Sequence, residues 1–295
     1  MDIRIGISGW VYPAWRGVFY PKDLPQKKEL FFASRQLNSI EINGSFYSYQ
    51  KPSTYKHWYA ETPENFLFAL KGPQYITHIQ RLKEPRQPLA NFFASGPLYL
   101  KEKLGPILWQ LPPNFLCNLE RLEDFFKLLP KSFSSAAALA NISERFTKEY
   151  GHEFQHDSRP LRHCLEVRHH SFENPDFIHL LRQYNIALVF GDSAGKWPYM
   201  EDITSDFIYL RLHGDKDLYA SGYDDATLLW WADRVGIWAH KKQPLDALTM
   251  SEDSFSINTN MICIYFDNDI KVRAPQDAET LMNCLKRTSS LSGPP

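Results

Sequence analysis

FIYLRLHG (residues 207–214) and MICIYFD (261–267) contain the fold in miniature. Side chains alternate across a strand, so residues two apart share a face. In the first segment Arg211 and His213 then share one face, while Ile208, Leu210 and Leu212 share the other. In the second, Asp267 stands opposite Ile262 and Ile264. Six more runs read the same way: IRIGIS (3–8), NSIEIN (38–43), FLFALK (66–71), PILWQL (106–111), HCLEVRHH (163–170) and IALVFGD (186–192). Their polar face carries Ser8, Glu41, Asn43, Lys71, Gln110, Glu166, Arg168 and Asp192, always toward the C-terminal edge. The apolar face carries Ile3, Ile5, Ile7, Ile40, Ile42, Phe66, Phe68, Val167 and Val189. Eight strands that gather polar groups at one end describe a barrel with a mouth.

Helical patterns separate these runs, at 26–37, 52–61, 88–103, 119–129, 134–150, 175–184, 224–240 and 276–287. Pro52 suits a first helical turn. Leu119, Leu122, Phe125, Phe126 and Leu129 recur at helical spacing. Alternating strand and helix implies a parallel sheet with right-handed crossovers. No glycine-rich dinucleotide fingerprint follows the first strand, which removes the usual mark of a doubly wound open sheet. The expected architecture is therefore α/β, a single TIM-type (β/α)8 barrel over residues 1–287. The chain length of 295 residues suits one such barrel, for which roughly 250 residues suffice. Residues 243–260 (QPLDALTMSEDSFSINTN) read as a mobile surface excursion before the eighth strand, and TSSLSGPP (288–295) as a disordered tail. Pro112-Pro113 implies a rigid turn, a place where a cis bond is affordable.

The composition is that of an ordinary globular protein, 43% hydrophobic and 23% charged, with a net charge of −1. That balance excludes wholesale attraction to nucleic acid or anionic membrane. No apolar stretch approaches the ~20 residues of a membrane span. The chain begins directly with a strand pattern, without the basic region and apolar core of a signal peptide. Cys117, Cys164, Cys263 and Cys284 are scattered with no CxxC pair. A cytoplasmic location is the expectation.

Several of these strings together resemble one family. They are GISGWVYPAWRGVFYPKDL (6–24), SIEINGSFY (39–47), FLFALKGP (66–73), KLGPILWQLPPNF (103–115), LEVRHHSF (165–172), GDS (191–193), FIYLRLHG (207–214), YASGY (219–223) and IYFDND (264–269). In this order they are similar to the YecE-like family of bacteria, domain of unknown function 72, along nearly the whole chain. The resemblance implies a TIM barrel arranged somewhat like sugar isomerases and endonuclease IV-like nucleases, and carries no established reaction. The 243–260 excursion is longer than is usual in that family.

In a barrel, residues at the C-terminal strand ends read as catalytic or binding groups. The competing reading is a buried ion-pair network, whose desolvation costs several kcal/mol per ion. Lys71, Arg168 and Arg211 converge from three strands, and arginine forks suit phosphate or carboxylate. Asn43, Gln110, Trp10, Tyr47 and His169 join them as candidate substrate contacts. Glu41, Glu166, Asp192 and Asp267 are candidates for acid–base work, with His213 as a proton shuttle near neutral pH. Arg168 should keep Glu166 ionised, whereas Asn268 and Asp269 should raise the proton affinity of Asp267 and make it the general acid. The same carboxylates and His213 could hold a divalent metal, but the interleaved cations argue against one, and no cofactor is expected.

The reading that results is an enzyme acting on an anionic small molecule, phosphorylated or sugar-containing, by hydrolysis in preference to isomerisation. A nucleic-acid-binding protein or nuclease is the first alternative, gripping a base with the aromatic and basic rim. A non-catalytic small-molecule-binding barrel is the second. No membrane partner is expected.

Overall fold

A computed structural model describes residues 1–146, 153–214, 218–219, 221–252, 258–269 and 272–291. Eight parallel strands close into a barrel in sequence order. They are β1 (Asp2–Ser8), β2 (Ser39–Ile42), β3 (Leu67–Lys71), β4 (Leu104–Gln110), β5 (His163–Glu166), β6 (Ala187–Asp192), β7 (Phe207–Leu212) and β8 (Met261–Phe266). Around them run α1 (Glu29–Gln36), the single turn α2 (Gly44–Tyr47), α3 (Pro52–Glu61), α4 (Arg86–Ala94), α5 (Leu119–Leu128), α6 (Phe133–Ala140), α7 (Pro175–Tyr184), α8 (Asp225–Ala239) and α9 (Ala274–Leu291). Among the described residues, no helix is long and apolar enough to cross a membrane.

The two faces of each strand meet two different cores. Leu67, Ala69, Leu108, Cys164, Ala187, Val189, Phe207, Tyr209, Cys263 and Tyr265 fill the barrel lumen. Ile208, Leu210, Leu212, Ile262, Ile264 and Phe266 belong to the larger core between strands and helices. This double burial explains why β7 is buried along its whole length. Pairing of Ser8 with Glu41, Gln110 with Glu166, and Arg211 with Tyr265 sets the polar residues at one level above the apolar lumen.

Strand β6 departs from the expected register. Val189 faces the lumen, not the helices, and Gly191 follows it on that face. Asp192 therefore has the parity of Phe190, which packs on Trp238 on the helix side.

The 88–103 pattern is two elements. Helix α4 stops at Ala94, and Gly96, at φ 119°, turns the chain into a 3-10 segment, Pro97–Lys103. A Cβ at Gly96 would stand 2.7 Å from Pro52 Cα, so that crossing needs glycine for both conformation and space. The Ala-rich helix is also shorter than expected. Ser132 and Ser135 form a capping box at the start of α6, which ends at Ala140, and residues 147–152 lie outside the described residues. Among the described residues no peptide bond is cis, including those at Pro112 and Pro113.

The 243–260 excursion is tethered rather than loose. Gln243 Nε2 donates to Glu201 O (2.9 Å), and Leu248 N to Glu201 Oε2 (3.0 Å). Met250 N and Ser251 N donate to the Asp202 carboxylate at 2.8 and 3.0 Å. Residues 253–257 lie outside the described residues. Asn260 N bonds Asp206 O just before β7, so this segment returns at the end of the barrel away from the mouth. Helix α9 continues to Leu291, into the stretch expected to be a disordered tail; residues 292–295 are outside the described residues.

Candidate functional site

The floor of the mouth is built around Arg211, which is fully buried. Its guanidinium forks onto Glu41, with Nε to Oε2 at 3.1 Å and Nη2 to Oε1 at 2.9 Å. Nη1 donates to Glu166 Oε2 at 2.7 Å, and Nη2 also donates to Asp267 Oδ2 at 2.8 Å. One cation thus holds carboxylates from β2, β5 and the end of β8. It occupies the centre that a metal ligated by these groups would need, and supplies the compensating charge itself. Among the described residues, no group of three or more His, Cys, Asp or Glu side chains is arranged to hold a metal ion.

Glu41 is sealed below this level. Its oxygens also accept from Ser8 Oγ (2.9 Å) and Tyr209 OH (2.6 Å), and the residue is wholly buried. Its lone pairs are spent on Ser8, Tyr209 and Arg211. The donors of Arg211 are directed at carboxylates inside the protein. For these two residues the ion-pair network is the right description.

Above the floor sits Glu166, accepting from Gln110 Nε2 (2.9 Å) and from Arg168 Nε (2.7 Å). Burial acts to raise its proton affinity, but Arg168, Arg211, His213 and Lys71 outweigh it and hold the carboxyl well below its usual range. Gln110 serves to orient this carboxylate.

Asp267 behaves oppositely to expectation. Burial pushes its proton affinity up, but Arg211 and His213 outweigh it and the net shift is downward. The raised carboxyl is Asp269, pushed well above the ordinary range by burial and by the adjacent Asp267 charge. Asp269 Oδ1 is buried with no hydrogen-bond partner among the described residues. Continuing the two-residue alternation of β8 one step past Asp267 would have found it.

His213 is fully buried, with Nε2 3.5 Å from Arg211 Nη1. Arginine can only donate, so Nε2 is the acceptor and Nδ1 carries the proton in the neutral ring. Nδ1 lies 3.1 Å from Asp267 Oδ2 but outside hydrogen-bonding geometry. Burial and then Arg211 lower its proton affinity. The enclosed ring, whose charged form is disfavoured by burial, braces Asp267 from the neighbouring strand.

Two cations remain on the upper rim. Arg168 stacks its guanidinium 3.7 Å from the Trp197 ring centroid, with Nη2 3.3 Å from Tyr219 OH. Lys71 is 8% exposed, and its ammonium lies 4.3 Å from the Phe46 ring centroid. Burial, reinforced by Arg211, brings its pKa from 10.5 to about 8. Directly after it, a Cβ at Gly72 would come within 2.4 Å of the Trp109 ring, so only glycine lets β3 leave the barrel here. Asn43 donates Nδ2 to Ser8 O at 3.3 Å, and its Oδ1 is buried without a partner among the described residues.

The remaining candidates scatter. Tyr47 is 72% exposed on the rim beside Phe46. Trp10 packs edge-on against Trp58 and its carbonyl accepts from Tyr20 OH, so it is satellite core. His169 Nδ1 caps the turn that follows, accepting from Ser171 N at 3.1 Å. Asp192, with the parity of the helix side, accepts from Tyr223 OH at 3.0 Å. It lines a separate cavity of about 530 Å³ with Trp197, Tyr199, Trp230 and Trp231. It is not a member of the floor.

Comparison with known proteins agrees with this architecture. Among solved structures, a DUF72 family protein of Thermotoga maritima MSB8 superimposes with a TM-score of 0.73 at 20% identity, covering 97% of this chain and 100% of that one. One from Enterococcus faecalis V583 gives 0.68 at 16% identity, covering 96% and 95%. At such identities the likeness concerns the fold. The UPF0759 protein YunF of Bacillus subtilis (strain 168) is 32% identical over 130 residues, 41% of this chain and 43% of that protein. The UPF0759 protein YecE of Escherichia coli (strain K12) is 28% identical over 133 residues, 45% of this chain and 46% of that protein. These matches span somewhat under half the length of either relative. A family described as Protein of unknown function DUF72 matches residues 4–295, and the chain belongs to it.

Proposed function

We propose that the protein is an enzyme that binds a small anionic substrate, phosphorylated or carboxylated, at the mouth and transforms it by proton transfer. Lys71 and Arg168 hold the anion, Asp269 is the general acid, and ionised Glu166 and Asp267 orient the substrate or accept its proton. The observation that carries this reading is the division of labour among the cations. Arg211 is saturated by carboxylates. The Lys71 ammonium has no hydrogen bond or ion pair among the described residues. A nearly buried ammonium left so, beside an arginine on the same rim, is suited to an anion. Side by side, a protonated Asp269 and an ionised Asp267 are two carboxyls whose proton affinities are driven apart, the pattern that assigns acid and base. Hydrolysis and isomerisation both use such a pair, and hydrolysis, needing only water as co-substrate, is the reading we favour.

The test is a thermal melt with and without inorganic phosphate. Phosphate should raise the Tm of the wild-type protein, and Arg168→Ala should diminish that rise. An equal rise in both proteins, or none in the wild type, removes the anion site. Turnover is then sought with phosphorylated sugars, where Asp269→Asn should abolish it with the fold retained.

A further inference from the structure

Lys71 has a second property besides its charge. Its side chain extends from the last residue of β3 into the mouth and is almost wholly buried. Every other buried cation described at this site is bound to a carboxylate: Arg211 to three, and Arg168 to Glu166. The Lys71 amine instead rests over the Phe46 ring. Phe46 in turn takes the edge of His78 at 5.1 Å. Lys71 thus has an apolar seat on one side and an ionised array on the other, with its nitrogen uncommitted.

Resting on the placement of the substrate at this mouth, with its anionic group left to Arg168 once Lys71 has lost its proton, we propose that Lys71 is a covalent catalytic residue, whose amine condenses with an aldehyde or ketone of an anionic substrate. In its neutral form Nζ attacks the carbonyl carbon, the C–O π bond opens, and a proton passes from nitrogen to oxygen to give a carbinolamine. Loss of that hydroxyl as water, with a proton delivered by the protonated carboxyl of Asp269, leaves a protonated imine; no electrons are exchanged and one water is released. The imine then withdraws electrons from the neighbouring carbon, and Glu166 or Asp267 takes the proton there. The site favours the free amine because burial and Arg211 both disfavour the ammonium. Near pH 7 a lysine titrating at about 8 carries on the order of a hundredfold more free amine than an ordinary one. Desolvated lysines act as imine-forming nucleophiles for this reason.

The experiment treats the full chain with glyoxylate, an anionic aldehyde, and sodium cyanoborohydride near neutral pH, and maps the adducts by peptide mass spectrometry. Lys71 should be modified first, at one adduct per chain, at least about tenfold faster than the exposed lysines. The site-specific adduct should vanish in Lys71→Arg, with circular dichroism and Tm showing the variant folded. Mapping of the wild-type chain decides the matter even if that variant fails to fold. Labelling spread over surface lysines with no preference for Lys71 overturns the proposal. Propionaldehyde, a neutral probe, separates this inference from the anion reading. If it labels Lys71 as fast as glyoxylate does, and phosphate gives no protection, the amine stands and the anion site falls. If phosphate raises the Tm but neither aldehyde reaches Lys71, the anion site stands and the covalent role falls.

Discussion

Arg211 Nη2 donates to Asp267 Oδ2 at 2.8 Å, and this bond helps to drive the proton affinities of two neighbouring carboxyls, Asp267 and Asp269, apart. Asp267 is held ionised by the guanidinium, and its charge then helps to hold Asp269 protonated. Arg211 thus shapes from beneath the proton affinities of the carboxyls it holds.

Removing it should be costly. Arg211→Met strands Glu41, Glu166 and Asp267 in a buried space, and loss of one partner from a buried network typically costs about 3–5 kcal/mol. Urea denaturation should show a loss of at least this size. A loss below about 1 kcal/mol would mean that the floor is solvated and the network adds little.

Lys71 should behave in the opposite sense. Its pKa is about 8 in the folded protein and 10.5 as an ordinary lysine. Between those values the unfolded chain binds more protons, so this group's linkage makes stability rise with pH through that window. Below pH 8 the buried ammonium is a net cost, on the order of 3 kcal/mol from the size of that shift. Lys71→Met should therefore stabilise the protein at pH 7, and the gain should shrink as pH rises toward 10. A destabilised Lys71→Met at pH 7 would show that the ammonium is paired.

How much of this was legible follows from the range of the forces involved. The two-residue alternation is local, and it correctly placed Glu41, Lys71, Gln110, Glu166, Arg211 and Asp267 at one end of a barrel. It failed at β6, where the inward residue at the strand end is Gly191, and the conspicuous polar neighbour Asp192 was read as facing in. It also could not say which cation pairs with which carboxylate. Glu41 and Arg211 are 170 positions apart, and Asp267 takes its proton affinity from a residue on the adjacent strand more than from Asn268 and Asp269 beside it. The break at Gly96 depends on the approach of Pro52, which no local helical pattern carries.

The tether of the excursion gives a prediction remote from the mouth. Glu201 Oε2 accepts from Leu248 N at 3.0 Å and from Arg234 Nη2 at 2.7 Å, and Glu201 is fully buried. Glu201→Gln keeps the shape and removes the charge, so the Leu248 amide should lose protection in hydrogen exchange. Arg234 would be left with Asp246, which is exposed. Phosphate binding at the mouth should be unchanged, since the partners of Glu201 are Tyr199, Arg234, Gln243 and Leu248 and none of them is a residue of the floor or the two rim cations. Protection of Leu248 as in the wild type would show that its bond to Glu201 does not hold the segment.

The two aspartates should respond differently to the same substitution. Asparagine is close in shape to a protonated aspartic acid but cannot replace a carboxylate beside an arginine. Burial and the neighbouring Asp267 charge push the proton affinity of Asp269 well above the ordinary range, so Asp269→Asn should not destabilise the protein at pH 7 and should stabilise it there. Asp267→Asn takes one carboxylate from buried Arg211 and from His213 Nδ1, and should cost about 2–3 kcal/mol, the range of hydrogen bonds to charged groups. The pH dependence distinguishes them further. Because the folded-state proton affinity of Asp267 is depressed, its contribution is present above the ordinary carboxylate range and is lost as pH falls through that range. The stability gap between wild type and Asp267→Asn should therefore narrow in acid. For Asp269, whose proton affinity is raised, the sign reverses: the unfolded chain gives up its proton first, so the wild type loses stability relative to Asp269→Asn as pH rises from the ordinary carboxylate range toward neutrality. Denaturation of both variants across that range measures both slopes. If Asp269→Asn proves the costlier change at pH 7, Asp269 is the ionised member and the assignment of general acid must move back to Asp267.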